Sequence, residues 1–301
     1  MLDQEMDAKM DDSTGMSEND KKTLSSAFRE MKHGLEFFAP YSEIKKISVF
    51  GSARTSPTDP VYTQAADFSR KMTRVGFMVI TGAGDGIMRA VQGGAGREKS
   101  FGLNIILPFE QEANEFIQND PKLITFKYFF LRKLFFVKEA NALAFFPGGF
   151  GTHDEGFEAL TLLQTGKCDP SPVVFIDTPG GSHWKDWFAY VNDRLLRKGL
   201  ISPEDMNLFQ ITDNVEEAVS EIAHFYRNYH SMQFMNGDTI IKLNDSITDP
   251  HLEQLNDLFS DILVKGKIMR TESSSILFQF NRRNFGRLRE LINAINNGVT
   301  K

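Results

Sequence analysis

Short apolar runs alternate along the chain with longer segments whose apolar positions recur every three or four residues. The runs at 47–50, 77–80, 102–107, 143–146, 173–176 and 208–211 have no polar alternation and read as strands buried on both faces. The segments at 25–38, 62–74, 87–92, 184–196 and 215–229 read as amphipathic helices, as do an aromatic-rich stretch ending at Glu139 and the residues that follow Thr152. Gly93-Gly94-Ala95-Gly96 is expected to end the 87–92 helix, and 109–125 reads as irregular. Fully apolar strands alternating with helices predict a Rossmann-like α/β domain, a doubly wound parallel sheet covered on both faces.

After residue 230 the pattern changes. Strands at 239–243, 267–270 and 276–280 and helices at 249–263 and 284–295 predict a small C-terminal α+β domain over 231–301. Arg282, Arg283, Arg287 and Arg289 make the last helix basic, which reads as a solvated face or as a regulatory anion site. Residues 1–24 show no sustained apolar period and are expected to form a disordered tail ahead of the 25–230 domain.

Three predicted strands run into glycine-rich turns, so all three turns fall on one edge of the sheet. They are Gly51-Ser52-Ala53-Arg54, Gly82-Ala83-Gly84-Asp85-Gly86 and Pro147-Gly148-Gly149-Phe150-Gly151-Thr152-His153-Asp154-Glu155. The last removes Cβ atoms where a strand passes into a helix. A ligand can then approach main-chain N–H groups at the positive end of the helix dipole, which suits a phosphate. Thr152 and Glu155 also have the T-x-x-E spacing of a capping box, and on that reading they only close the helix. Two glycine-rich loops converging on one edge favour a site.

Composition narrows the setting. Among 301 residues, 41% are hydrophobic and 25% charged, the balance of a globular protein with a full core. The formal charge is −6, and residues 1–22, with seven acids and three lysines, carry most of it. That balance argues against a general nucleic-acid or membrane surface. A single cysteine, Cys168, excludes an intrachain disulfide framework and any multi-cysteine zinc site. The six histidines lack ligand spacing, so no metal is expected, and no apolar run approaches bilayer length. With no apparent signal peptide, a cytoplasmic location follows as the expectation.

Arg132-Lys133 followed by Pro147-Gly148-Gly149-Phe150-Gly151-Thr152-His153-Asp154-Glu155 resembles the R-K and P-G-G-x-G-T-x-x-E pair of the Lonely Guy (LOG) family, often labelled "possible lysine decarboxylase". Gly51-Ser52, Gly82-Ala83-Gly84-Asp85-Gly86-Ile87-Met88, Gly102-Leu103-Asn104 and Leu107-Pro108 extend the likeness over residues 45–225. The resemblance implies a Rossmann-like homodimer that hydrolyses the N-glycosidic bond of nucleoside 5′-monophosphates such as AMP or cytokinin riboside monophosphates, giving free base and ribose 5-phosphate without a cofactor. It further implies Arg132 and Glu155 as the catalytic pair. Gly51, Ser52, Gly82, Gly84, Gly86, Met88, Lys133, Gly148, Gly149, Gly151 and Thr152 become the substrate- and phosphate-binding positions.

The chemistry suits these residue types. Cleaving a ribosyl C–N bond builds positive charge on the sugar, which a carboxylate stabilises or relieves by activating water. A guanidinium can orient the leaving base without changing its own protonation. Three departures from the family pattern stand out: Ala83 and Asp85 in the second loop, and His153, which reads as an exposed first-turn residue or as a bias on the base pocket. The aromatics at 126–136 read as core and dimer contact, or as a lining for the base.

Competing readings are weaker. Pyridoxal phosphate chemistry needs a Schiff-base lysine with a partner for the ring nitrogen, and no such constellation is legible. Gly82 to Gly86 is G-x-G-x-G, not the dinucleotide fingerprint, and no acid ends the next strand. A non-catalytic nucleotide-binding or sensor module, with the C-terminal domain as reporter, remains the alternative. Cys168 reads as structural.

Overall fold

The computed structural model describes residues 15–108, 112–271 and 274–298. Its centre is a seven-stranded, wholly parallel sheet in the order β4-β3-β2-β1-β5-β6-β7. The strands are β1 (Lys46–Phe50), β2 (Met78–Thr81), β3 (Ser100–Ile105), β4 (Leu123–Phe126), β5 (Ala142–Phe145), β6 (Val173–Ile176) and β7 (Gln210–Thr212). β1 to β4 advance towards one edge and β5 to β7 towards the other. The order therefore reverses between β1 and β5, where an open α/β sheet offers a crevice beyond its strand ends.

The helices are α1 (Glu18–Phe38), α2 (Pro60–Arg74), α3 (Ile87–Ala95), α4 (Phe129–Lys138), α5 (Phe150–Gln164), α6 (His183–Tyr190) and α7 (Val215–Phe225). Both faces of the sheet are covered, as apolar strands require. Phe50, Phe145 and Phe175 stack across β1, β5 and β6 on one face, with ring centroids 4.9 and 5.0 Å apart. Val49, Ala144 and Val174 enter the opposite core with Phe68 and Ile222. The predicted Rossmann-like α/β class holds.

Several boundaries differ from expectation. Helix α1 starts at Glu18, with the Ser17 side chain accepting from the Asp20 N–H, so 18–24 is helical; residues 1–14 lie outside the described residues. Gly93 and Gly94 continue α3 instead of ending it. A Cβ on Gly94 would stand 2.0 Å from the Ala66 carbonyl oxygen, so the glycine serves the close packing of α3 on α2. The segment read as irregular contains edge strand β4.

A second, antiparallel sheet of order β10-β11-β9-β8 follows, built from β8 (Tyr229–Met235), β9 (Asp238–Leu243), β10 (Met269–Arg270) and β11 (Ser275–Phe278). β8 is an additional strand beyond the pattern read from the sequence. Helices α8 (Asp249–Leu258) and α9 (Phe285–Asn297) complete this α+β unit. The basic face expected on α9 is largely consumed by structure. Arg289 is 6% exposed and paired with Glu221 of α7, while Arg287 pairs with Asp261 and Glu290. Asn296 of α9 accepts from the Asn228 and Tyr229 N–H groups at 2.8 and 2.9 Å and donates to the Phe225 carbonyl at 2.8 Å. These bonds fasten the second sheet to the end of α7.

Candidate active site

The reversal between β1 and β5 opens a cavity of about 820 Å³, within the range of small-molecule sites. The loops after the two central strands are laced together. The Ser52 N–H donates to the Pro147 carbonyl at 3.1 Å, the Phe146 N–H to Phe50 at 2.9 Å, and the Ile87 N–H to Ser52 at 3.0 Å. Gly86 lets this happen: at φ +63° it sits where a Cβ would be 2.2 Å from the Ser52 carbonyl oxygen.

At α5 the structure decides between the two readings of T-x-x-E. The helix begins at Phe150 with Gly149 as N-cap, and no side chain caps it, so Thr152 lies inside the first turn and the capping box is not formed. The first N–H groups of α5 thus lack an intrahelical acceptor and point out of the helix start. Cβ atoms built on Gly149 and Gly151 would meet nothing within 4 Å, whereas one on Gly148 would lie 2.1 Å from Thr152 Oγ1. Gly149 and Gly151 leave the cavity open, and Gly148 makes room for the buried threonine.

Arg132 enters from α4, on the opposite wall. Its Nε donates to the Leu103 carbonyl at 2.8 Å, Nη2 to Gly82 at 3.5 Å, and the guanidinium lies 5.1 Å from the Phe136 ring centroid. A Cβ on Gly82 would be 2.3 Å from Nη2, so this glycine admits the arginine. Burial brings the Arg132 pKa down to about 10, with the Glu155 carboxyl opposing, and the group stays cationic at neutral pH.

Glu155, one turn into α5, lines the same cavity. Burial pushes its carboxyl up to about 7, against the pull of Lys133 and Arg132, and its Oε2 has no hydrogen-bond partner. Lys133, expected among the phosphate-binding residues, does not line the cavity. It pairs with Asp154 at 3.0 Å and Glu158 at 2.8 Å. Burial works against its charge, but these partners outweigh burial and its pKa is raised.

His153 is not an exposed first-turn residue. It is half-buried, lines the cavity, and its ring centroid lies 5.4 Å from His183 and 5.3 Å from Trp184. Burial and His183 both lower its pKa, which keeps the imidazole neutral at neutral pH. Of the aromatic stretch, Phe126, Phe135 and Phe136 are buried, whereas Phe129 and Phe130 are exposed; Phe129 and Phe136 line the cavity.

The second loop plays a supporting part. Gly84 and Gly86 do not line the cavity, and Asp85 is exposed and also off it, which keeps its carboxylate from an incoming phosphate. Ala83 adopts φ +64°, a left-handed conformation that costs an ordinary residue roughly 1–2 kcal/mol. Asn114, in the stretch read as irregular, holds that conformation. Its Nδ2 donates to the Ala83 and Gly84 carbonyls at 3.0 and 2.8 Å, and its N–H to Ala83 at 2.9 Å. Gly51, Ser52, Gly82, Met88, Arg132, Gly148, Gly149, Gly151, Thr152 and Glu155 are brought together on the cavity wall, joined by Arg54. No described residue beyond Glu155 lines it. No group of three or more metal-ligating side chains occurs among the described residues, and no described helix is long and apolar enough to cross a membrane.

Residues 86–222 match the model of a family described as "Possible lysine decarboxylase", within the stretch that resembles the LOG family. Over 92 residues the chain is 36% identical to a protein of Mycobacterium tuberculosis (strain ATCC 25618 / H37Rv) named cytokinin riboside 5′-monophosphate phosphoribohydrolase. That stretch is 31% of this chain and 47% of the relative, so the chain spans about half the length of the curated relative it matches. Similar solved structures include the molybdenum cofactor carrier protein of Chlamydomonas reinhardtii, at 18% identity and TM-score 0.40 over 59% of this chain and 94% of that one. The molybdenum cofactor binding protein of Rippkaea orientalis is similar at 16% identity and TM-score 0.41, over 59% and 93%. Neither likeness is close enough to speak to ligand or activity.

Proposed function

We propose that this chain, which carries the arginine–lysine and glycine-loop motifs of the LOG family, hydrolyses the N-glycosidic bond of a nucleoside 5′-monophosphate. The products are a free base and ribose 5-phosphate, and the substrate is of the AMP or cytokinin riboside monophosphate type. The observation that carries this reading is Glu155: a shielded carboxyl with a free oxygen, facing a cavity whose other wall presents a buried cation.

In this reading the open N–H groups at the start of α5, with Ser52 in the loop after β1, receive the 5′-phosphate. The ribose then lies across the β1–β5 crevice with C1′ towards Glu155. As the C–N bond lengthens, positive charge grows on the ring, and the Glu155 carboxylate stabilises it and takes a proton from the attacking water. Arg132, held by two backbone carbonyls, offers its guanidinium to the departing base. Lys133 acts at one remove, balancing Asp154 and Glu158 beside Glu155. No step calls on a cofactor.

Two further parts belong to the proposal. Exposed Phe129, Phe130, Leu134, Phe150 and Phe157 give α4 and α5 an apolar surface that fits a second copy of the chain, and Phe150 is 96% exposed. Cys168 is an unreactive thiol, pushed up to about 12 by burial, which fits a structural role in a cytoplasmic setting. The 231–301 domain braces α7, and none of its described residues lines the cavity, which weighs against its serving as a ligand reporter.

Base release from a panel of nucleoside 5′-monophosphates, with Glu155→Gln and Arg132→Ala alongside, tests the reading. If nucleotides raise the melting temperature while none loses its base, the protein is a binding module.

A further inference from the structure

The first turn of α4 carries no capping side chain of its own. Its approach is held instead from outside. The Lys127 N–H donates to Glu30 Oε1 at 2.5 Å and the Tyr128 N–H to Glu30 Oε2 at 3.2 Å, so one carboxylate of α1 takes both amides leading into the helix. A charge placed there also faces the positive end of the α4 dipole.

One turn on, the Arg132 N–H bonds back to the Tyr128 carbonyl at 3.2 Å, so the residue Glu30 grips is the residue on which Arg132 is built. Lower down, α1 meets α4 again. A Cβ on Gly34 would lie 2.3 Å from the Phe135 ring, and Phe38 stacks on Phe135 with centroids 6.0 Å apart. The glycine contact sets the distance between the helices, and the Ser48 hydroxyl, donating to the Phe136 carbonyl at 2.7 Å, ties the later part of α4 to β1. The Glu30 bonds hold the N-terminal end, where Arg132 is built. The guanidinium depends on that end being fixed, because Nε must meet Leu103 of β3 and Nη2 must meet Gly82 in the turn after β2.

We propose that Glu30 is a positioning residue for Arg132, so that α1, which lies outside the 86–222 match, is a working part of the candidate active site. The proposal rests on the reading of Arg132 given above. Displacing a reacting group by an ångström through a remote change lowers rates by up to about a hundredfold.

The test compares wild type, Glu30→Ala and Glu30→Gln in the full chain by two readouts. Solvent exchange of the Arg132 Nε–H, followed by NMR, reports the bond to Leu103 without reference to catalysis. Base release from nucleoside monophosphates gives kcat and KM. The expected result is faster Nε–H exchange in Glu30→Ala, with kcat down about tenfold and KM within about twofold of wild type. Glu30→Gln, which keeps one acceptor oxygen, should fall between the two. Wild-type Nε–H protection in Glu30→Ala overturns the proposal, as does a rise in KM at constant kcat. If wild type itself releases no base, the hydrolase reading fails and the exchange arm alone decides the role of Glu30. Should Glu30→Ala not fold, the same comparison is made with Glu30→Gln.

Discussion

Arg132 and Glu155 stand on opposite walls of one cavity, each favouring the charged form of the other while burial works against both. Burial prevails, leaving a cation with a pKa of about 10 facing a carboxyl with a pKa of about 7. At neutral pH the arginine is charged and the carboxyl is close to half ionised.

If Glu155 acts as a carboxylate, kcat rises with pH through about 7 and levels off above it. Lys133 is the strongest of the neighbours holding that carboxyl down, so Lys133→Ala should move the inflection to higher pH. A pH–kcat profile of the two proteins checks this. An inflection that stays in place in the variant would separate Glu155 from the rate.

The same shift bears on stability. A carboxyl raised from 4.5 to about 7 in the folded state binds its proton more tightly there than in the unfolded chain. The folded state is therefore favoured below pH 4.5, and this contribution is lost as pH climbs through about 7. Glu155→Gln, permanently neutral, should match wild type near pH 4 and exceed it by roughly 2–3 kcal/mol at pH 8. Denaturant melts at the two pH values decide.

The glycines of the α5 loop divide by what surrounds them. Gly151→Ala places a methyl in open space within a helix, and should raise stability by roughly 0.5–1 kcal/mol while weakening nucleotide binding. Gly148→Ala meets Thr152 Oγ1 at 2.1 Å and should destabilise the fold. Melting temperatures with and without nucleotide distinguish the two effects.

Asn114→Ala should cost about 2 kcal/mol, since it takes the side-chain donor from the buried Gly84 carbonyl and leaves Ala83, a left-handed alanine, with only the residue-114 N–H. Because that loop bears Gly82, beside Arg132, nucleotide affinity should fall as well; thermal melts and titration calorimetry measure both.

Phe130→Glu on the exposed face of α4 should shift the protein towards monomer if the apolar surface joins two copies, read by sedimentation velocity. An unchanged sedimentation coefficient would place any self-association elsewhere.

Much of this was written in the sequence. Central strands buried on both faces leave unmistakable apolar runs, and the glycine turns at their ends mark one edge, so the sheet and the edge that bears the cavity followed directly; Arg132 and Glu155 were singled out as a pair only by the resemblance to the LOG family. Edge strands were harder. β4 is only half-buried and alternates, and in β8 the residues after Met232 are exposed, so neither presents a continuous apolar run. Glycines at 93 and 94 look like a stop because a sequence does not show that Ala66 lies against them. Lys133, Glu30 and Asn114 take their roles from partners far along the chain or across a helix face. Their letters alone could equally have been surface residues.

The central claim is the cleavage itself, and its most direct test is the products. Purified protein incubated with nucleoside 5′-monophosphates should yield free base and ribose 5-phosphate in equal amounts from at least one of them, with both lost in Glu155→Gln. Intact nucleotides throughout, or base release that survives in Glu155→Gln, would contradict the account.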